Sequence, residues 1–316
     1  MSKEFNGKVI NVYPSKTRRP WLIKQFMGIA SLQKLRSLDK QVDIHHVFFP
    51  QFYQFPYFKV LRKPIVFTST TSMEPQISGN SRKNITYLSS SKKIIDQLLN
   101  SGVSHAQHVI SGIEVERWRA EKAISSEEPF TLLMASAPHS RKQFESKGIY
   151  LLLDYLKDHH DVELNLLWRG VDGEYMRKLI DRKNLENRIN FVNERVNVQE
   201  YFRQSHATIL LCDEPGVLKN YPHSLIESIC CARPVIISHL SELSRTVKNH
   251  KLGVVMEKST INSLHDSISQ LRSNYSAYQQ NCLKLDKSVF DHKKYISTLK
   301  NIYQNSVSLG SNRSLT

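Results

Sequence analysis

From about residue 129 the chain alternates short apolar runs with longer segments that are apolar along one side only. A run of four to seven apolar residues reads as a buried strand, and a stripe with a period near 3.6 reads as a helix lying on a sheet. The predicted strands are Phe130–Ala135, Val162–Trp168, Ile189–Val192, Ala207–Leu211, Pro234–Ile237 and Gly253–Met256. The predicted helices are Gly148–His159, Gly173–Lys183, Val198–Gln204, Ser224–Cys231, Ser241–Asn249 and Thr260–Asn274. Six strands each followed within a few residues by a helix predict a parallel, doubly wound sheet whose ligands lie in loops at the carboxyl ends of the strands.

The first half is α/β as well, but less regular. Strands are expected at Lys8–Val12, Val42–Phe48, Pro64–Phe67, Asn84–Leu88 and His108–Ile110, with helices at Trp21–Leu38 and Lys92–Asn100. The polar, proline-ended run Ser125-Ser126-Glu127-Glu128-Pro129 separates the two patterns and is the expected domain boundary. This gives a smaller domain over residues 1–125, a larger one over 126–286, and a closing segment, 287–316, of one or two helices and a polar tail.

Composition refines this picture. With 316 residues and 40% hydrophobic content, the chain can bury one large or two medium cores, and two domains are favoured. The net charge of +15 is unevenly spread, with 19 Lys/Arg against 8 Asp/Glu in residues 1–125 and 25 against 21 thereafter. A basic first half favours anionic partners: nucleic acid, acidic lipid headgroups or a polyanionic acceptor. Cys212, Cys230, Cys231 and Cys282 lack C-x-x-C spacing and three fall in or beside apolar segments, so reduced, buried thiols are expected. Neither a secretion signal nor an apolar run of spanning length is apparent, so a cytoplasmic protein is expected. The segment Arg18–Arg36 carries Leu22, Phe26, Ile29 and Leu32 at helical spacing among basic residues; core packing and contact with an anionic membrane are both open to it. His45 and His46 are adjacent on a strand and face opposite ways, which argues against a shared metal.

The richest segment is Tyr221-Pro-His-Ser-Leu-Ile-Glu-Ser-Ile-Cys-Cys-Ala-Arg-Pro-Val-Ile-Ile237. Pro222 favours an extended approach, and Ser224 is expected to cap a helix whose first N–H groups can face an anion. One turn on, Glu227 can accept from two neighbouring hydroxyls of a ribose. His223 is either a donor to phosphate or an ordinary loop histidine. Arg141 and Lys147, just ahead of Gly148, are cations in a polar loop after the first strand, with Lys142 as a rival.

The pattern P-x-S-x-x-E-x-x-x-x-x-x-P-V-I resembles the donor-binding segment of GT-B glycosyltransferases of the family 4 type. The likeness runs over residues 40–306 and is firmest over 129–257. It implies two Rossmann-type domains, the first one shortened, and a closing helix, Phe290 through Tyr303, that crosses back to the first domain. It implies that Arg141 and Lys147 grip the diphosphate of a nucleotide sugar, and that Glu227 holds the ribose. The donor would also meet His223, Ser224 and Leu225 at the helix start, while Val192–Val196, with Glu194, would meet the nucleobase. Lys219 stands where the family has the first glutamate of E-x7-E, with Asp213 and Glu214 in the same loop. The first domain has Val66–Ser72 where the family often carries a histidine.

The expected activity is retaining transfer from a UDP- or GDP-type donor to a glycan or lipid-linked acceptor in cell-surface polysaccharide synthesis. No cofactor and no obligatory metal are expected. The basic first half would meet the acceptor or the inner face of a membrane. The rival is a catalytically weakened member that binds a nucleotide sugar or glycan as a partner subunit. Nucleic-acid binding is not expected, because no basic helix offers base-reading side chains.

Overall fold

The computed structural model describes residues 4–10, 32–71, 73–77, 84–120, 124, 129–169 and 171–311. The chain forms two compact units, one running to Ile110 and resuming at Lys293, the other spanning Ser111–His292.

The first unit holds a parallel sheet of β1 (His45–Phe49), β2 (Ile65–Ser69), β3 (Ile85–Ser89) and β4 (Ala106–His108) in that order. Ile65 sits opposite His45 in one neighbour and Ile85 in the other, so the strands run in register. The helix α1 (Leu32–Asp39) and the helix α2 (Lys92–Asn100) flank the sheet, and the Ser91 hydroxyl caps α2 by accepting from Ile94 N–H. Aromatic rings fill one core: Phe52 stands edge-on to Phe67 and Tyr87 at 5.1 and 5.2 Å, with Phe55, Tyr57 and Phe58 beside them. The long terminal helix α11 (His292–Ser311) packs Leu299 and Ile302 on Val66 and Leu88.

β1 turns its two histidines to opposite faces, as period-two geometry requires. His45 bonds the Asp39 carboxylate at 2.8 Å. Burial alone would raise the Asp39 pKa, but donation from Arg62 N–H, His45 and Lys63 N–H outweighs it and holds the carboxyl below its ordinary value. His46 lies between Tyr303 Oη and Thr68 Oγ1, at 2.5 and 2.7 Å. Thr86 and Ser306 pair their hydroxyls 3.2 Å apart along the same seam. Burial pushes the His46 pKa down to about 3, so the ring is neutral.

The second unit holds six parallel strands: β5 (Phe130–Met134), β6 (Val162–Leu167), β7 (Ile189–Val192), β8 (Ala207–Leu210), β9 (Val235–Ser238) and β10 (Gly253–Met256). Their spatial order is β10-β9-β8-β5-β6-β7, so chain order reverses between β5 and β8. Loops leaving these two neighbours diverge and open a crevice at their carboxyl ends. The connecting helices are α3 (Gln143–Ser146), α4 (Ile149–Asp158), α5 (Gly173–Arg182), α6 (Val198–Gln204), α7 (His223–Cys230), α8 (Leu243–Asn249), α9 (Ile261–Ser273) and α10 (Tyr275–Lys284). Leu132, Met134, Leu164 and Ile209 pack under Leu152, Leu156, Leu264 and Ile268 of α4 and α9. Leu133 and Leu167 on the opposite face meet Phe202 of α6. All four cysteines are buried and free.

Several expectations are revised. Lys8–Ile10 forms no strand, and Asn11 and Val12 lie outside the described residues, as do Arg18–Ser31 of the basic amphipathic segment; Leu32 packs against the first core. Ser125–Glu128, the expected boundary, is also outside the described residues. The structure divides the chain at Ile110 because the next residues are stitched into the second unit: Ile113 N–H donates to Phe290 O and His292 N–H to Ile113 O, both at 2.8 Å. The Lys287–Phe290 turn is a 3-10 helix ahead of α11, and no described helix is long and apolar enough to cross a membrane.

Because His46 is neutral when folded and takes a proton below about pH 6.5 when unfolded, acid favours the unfolded first unit. Stability should therefore fall between about pH 6.5 and pH 3, by up to about 1.4 kcal/mol per pH unit. Denaturant titrations at several pH values should show that slope flattened in His46→Phe, and Tyr303→Phe should cost about 1 kcal/mol at neutral pH.

Candidate functional site at the carboxyl edge of the second sheet

Gly148 decides how the β5–α4 loop is built. It occupies the left-handed region at φ +64°, and a Cβ there would stand 2.8 Å from Leu211 Cβ. Only glycine allows the loop to lie this close to the residue following β8. Asp213 N–H donates to Ser146 O at 3.2 Å, tying the two loops together across the point of strand reversal. Phe144, fully buried, wedges α3 edge-on against Trp168.

That geometry turns Lys147 inward. The residue is 4% exposed, and its Nζ donates to Ala137 O at 3.0 Å, Ser136 Oγ at 3.2 Å and Ser136 O at 3.5 Å. Among the described residues no carboxylate pairs with it. Burial lowers the Lys147 pKa, the Cys212 side chain opposes this, and the Lys219 ammonium adds to it. His223 feels the same field: although the residue is exposed, loss of water around its ring, then Lys219, push the imidazole below its ordinary value. Two ammonium groups and an imidazole thus share one neighbourhood at the start of α7. A buried ammonium that meets only neutral oxygens, with the exposed Lys219 and His223 within electrostatic reach, favours an anion there.

α7 starts one residue earlier than expected. Pro222, at φ −65° and ψ 122°, is the N-cap and makes no side-chain capping bond. Ser224 is therefore inside the first turn and does not cap, because the preset proline φ already launches the helix at His223. Leu225 and Ile226 N–H both lean on Pro222 O at 3.2 Å, and the Leu225 side chain is buried, so Leu225 serves the core. The N–H groups of His223 and Ser224 are the ones that point off the helix end. Glu227, one turn further, is partly buried; burial raises its pKa to about 6, with Arg117 pulling the other way.

The remaining expected residues stand apart from this group. Arg141 bonds Asp172 Oδ1 at 3.1 Å and lies 4.2 Å over the Tyr175 ring, with its side chain 55% exposed. Lys142 is exposed at the start of α3. Glu194 is exposed in the loop after β7, next to Asn193, whose side chain abuts Gly173. Asp213 and Glu214 are exposed in the β8 loop. Sequence reasoning missed Arg117 and Trp118, which with Gly112, Ile113, Glu114, His223 and Glu227 line a recess of about 190 Å³. Residues 114–118 carry no periodic pattern that would have flagged them. Among the described residues no group of three or more His, Cys, Asp or Glu could hold a metal ion.

The model of the family described as Glycosyl transferases group 1 matches residues 114–284. No curated protein matches the chain in sequence. Among solved structures, sucrose-phosphate synthase from Thermosynechococcus elongatus is similar at a TM-score of 0.72 and 16% identity, over 94% of this chain and 82% of that one. HepE from Anabaena, in complex with UDP and glucose, is similar at 0.69 and 13% identity, over 90% and 83%. A glycosyltransferase from Rickettsia africae is similar at 0.69 and 15% identity, over 97% and 86%. These likenesses show the fold, the α/β GT-B architecture of two Rossmann-like parallel-sheet domains.

Replacing Gly148 by alanine should be costly for two reasons, the positive φ and the contact with Leu211. We expect a loss of about 2 kcal/mol or more, and a melting temperature lower by about 4 °C or more, in a thermal melt of Gly148→Ala.

Proposed function

The chain belongs to the glycosyl transferases group 1 family, and on that footing we propose that it is a retaining glycosyltransferase using a UDP- or GDP-type sugar donor. The acceptor in this reading is a glycan or lipid-linked saccharide of cell-surface polysaccharide synthesis. The observation that carries the donor side is the buried Lys147 ammonium, held by neutral oxygens in the company of Lys219 and His223.

In the proposed reaction the bond from the anomeric carbon to the diphosphate breaks, and its electron pair passes to the leaving diphosphate. The acceptor hydroxyl oxygen bonds to that carbon while its proton moves to a diphosphate oxygen. Lys147 and Lys219 stabilise the charge growing on the leaving group, an interaction stronger in the transition state than in the ground state. The N–H groups of His223 and Ser224 add a fixed partial positive charge. Glu227 accepts from the two ribose hydroxyls, and the backbone around Glu194 meets the nucleobase. Arg141 is tied to Asp172 by an exposed ion pair of small worth, so it can turn to the diphosphate at little cost. Lys219, in the place of a carboxylate, would serve phosphate in this scheme. With the leaving charge met by side chains, we propose that no metal or cofactor is obligatory.

The alternative is a weakened member that keeps nucleotide binding without transfer, and Lys219 motivates it. A thermal-shift and calorimetric screen against UDP, GDP, ADP and their sugar conjugates tests the donor site, because a ligand that binds only the folded state raises the melting temperature. We expect one nucleotide to stabilise the protein and Glu227→Ala to abolish the effect; no stabilisation by any of them would defeat the reading. Lys147→Ala should lower turnover roughly a hundredfold to a thousandfold, while chelator leaves it intact. Binding without transfer across a broad acceptor panel would favour the partner-subunit alternative. An inverted anomer in the product, seen by NMR, would overturn retention.

A further inference from the structure

The recess in front of Glu227 is built from a segment that precedes the first strand of its unit. Gly112 lies so close to the chain at Asp291 and His292 that a Cβ would meet backbone atoms at 2.5 Å. Ile113 completes a parallel bridge to Asp291, and a short 3-10 turn, Val115–Arg117, follows. Trp118 anchors the end of this segment edge-on to Phe202 at 5.7 Å, and the Arg117 guanidinium lies 5.6 Å from the Trp118 ring centroid. The recess is thus framed by a backbone stitch on one side and an indole on the other. At about 190 Å³ it falls below the range of about 300–1,000 Å³ that encloses a whole drug-sized ligand, so it suits a fragment such as one sugar ring.

We propose that Arg117 is a positioning residue of the nucleotide site, holding the Glu227 carboxylate in its charged, hydroxyl-accepting form from across this recess. The inference rests on the nucleotide-sugar reading of the site. A carboxylate accepts from two vicinal hydroxyls only when both of its oxygens are free of a proton. Glu227 is pushed toward protonation by burial, and Arg117 is the charged group that opposes this. The other groups around Glu227 cannot replace it. Glu114 on the same segment is an acid, His223 on the same helix is shifted toward its neutral form, and Cys230 behind it has its thiol pushed up to about 11 by burial. Lys287 is committed to the Cys230 carbonyl, to which it donates at 3.3 Å.

The test is UDP affinity by calorimetry between about pH 5.5 and pH 8.5, or that of whichever nucleotide proves to bind. It compares wild type, Arg117→Met, Arg117→Lys and Glu227→Gln, with the 2′-deoxynucleotide as a second probe. Wild-type affinity should fall as pH drops through about 6, and Glu227→Gln should flatten that fall. If Arg117→Met moves the midpoint up by about one pH unit, affinity drops about fivefold at pH 6 and recovers fully by pH 8.5. Arg117→Lys should restore the wild-type profile, and the deoxy probe should show a weaker pH dependence in every variant. A loss in Arg117→Met that is equal at all pH values, or a midpoint that does not move, overturns the inference while the donor site stands. Failure of wild type to bind any nucleotide at pH 8.5 overturns both. Because Arg117 is exposed, matching melting temperatures at pH 8.5 will show that the variant folds.

Discussion

A lysine ammonium taken out of water and given only neutral oxygens is a standing electrostatic demand, and the second unit is arranged around it. Burying an isolated charge costs several kcal/mol unless an opposite charge or good hydrogen bonds offset it. Lys147 donates hydrogen bonds to oxygens of Ser136 and Ala137 but meets no carboxylate among the described residues, and Lys219 raises the demand further. Its position follows from Gly148, which lets the loop sit against Leu211, and from the strand reversal that leaves a crevice between β5 and β8. A fixed cation in a crevice, beside a helix start, suits a ligand that carries more than one negative charge.

The regular elements of the second unit could be read from the chain because most of its strands are buried on both faces and appear as mainly apolar runs, broken by Glu163 and Asn165 in β6 and Asn190 in β7 toward one edge of the sheet. Ile189–Val192, Val198–Gln204 and Gly253–Met256 have the predicted bounds, and the other elements shift by one or two residues at their ends. What escaped was short or irregular. The four residues of α3 are too few to show a period, and α10 follows α9 with only Asn274 between them. Ser224 misled for a physical reason: a capping residue and a preset proline two positions earlier compete to start the helix, and here proline wins.

The candidate site divided along the same line. Lys147 and Glu227 were legible as candidates because each lies in a segment with a pattern of its own, the polar loop ahead of Gly148 and the run from Pro222 to Pro234. Arg141 came from the resemblance and its place in a polar loop, and its actual partners, Asp172 and Tyr175, come from the next β-α unit, which no local pattern announces. Arg117 and Trp118 owe their position to the stitch between Ile113 and Asp291, a pairing across almost the whole length of the second unit. Contacts of that range are invisible to any reading that moves along the chain window by window.

The first unit is interrupted in sequence, since its core includes Val66 and Leu88 from one end of the chain and Leu299 and Ile302 from the other, with the whole of the second unit between them. During synthesis the inner unit is therefore complete before the outer one can close. Domains of most chains fold in the order in which they emerge, but here that order is reversed. Until α11 leaves the ribosome, Val66 and Leu88 remain bare, and His46 lacks Tyr303. A nascent chain that has emerged from the ribosome only as far as residues 292–299 would carry a finished second unit and an open first sheet, the species most exposed to chaperones and to aggregation.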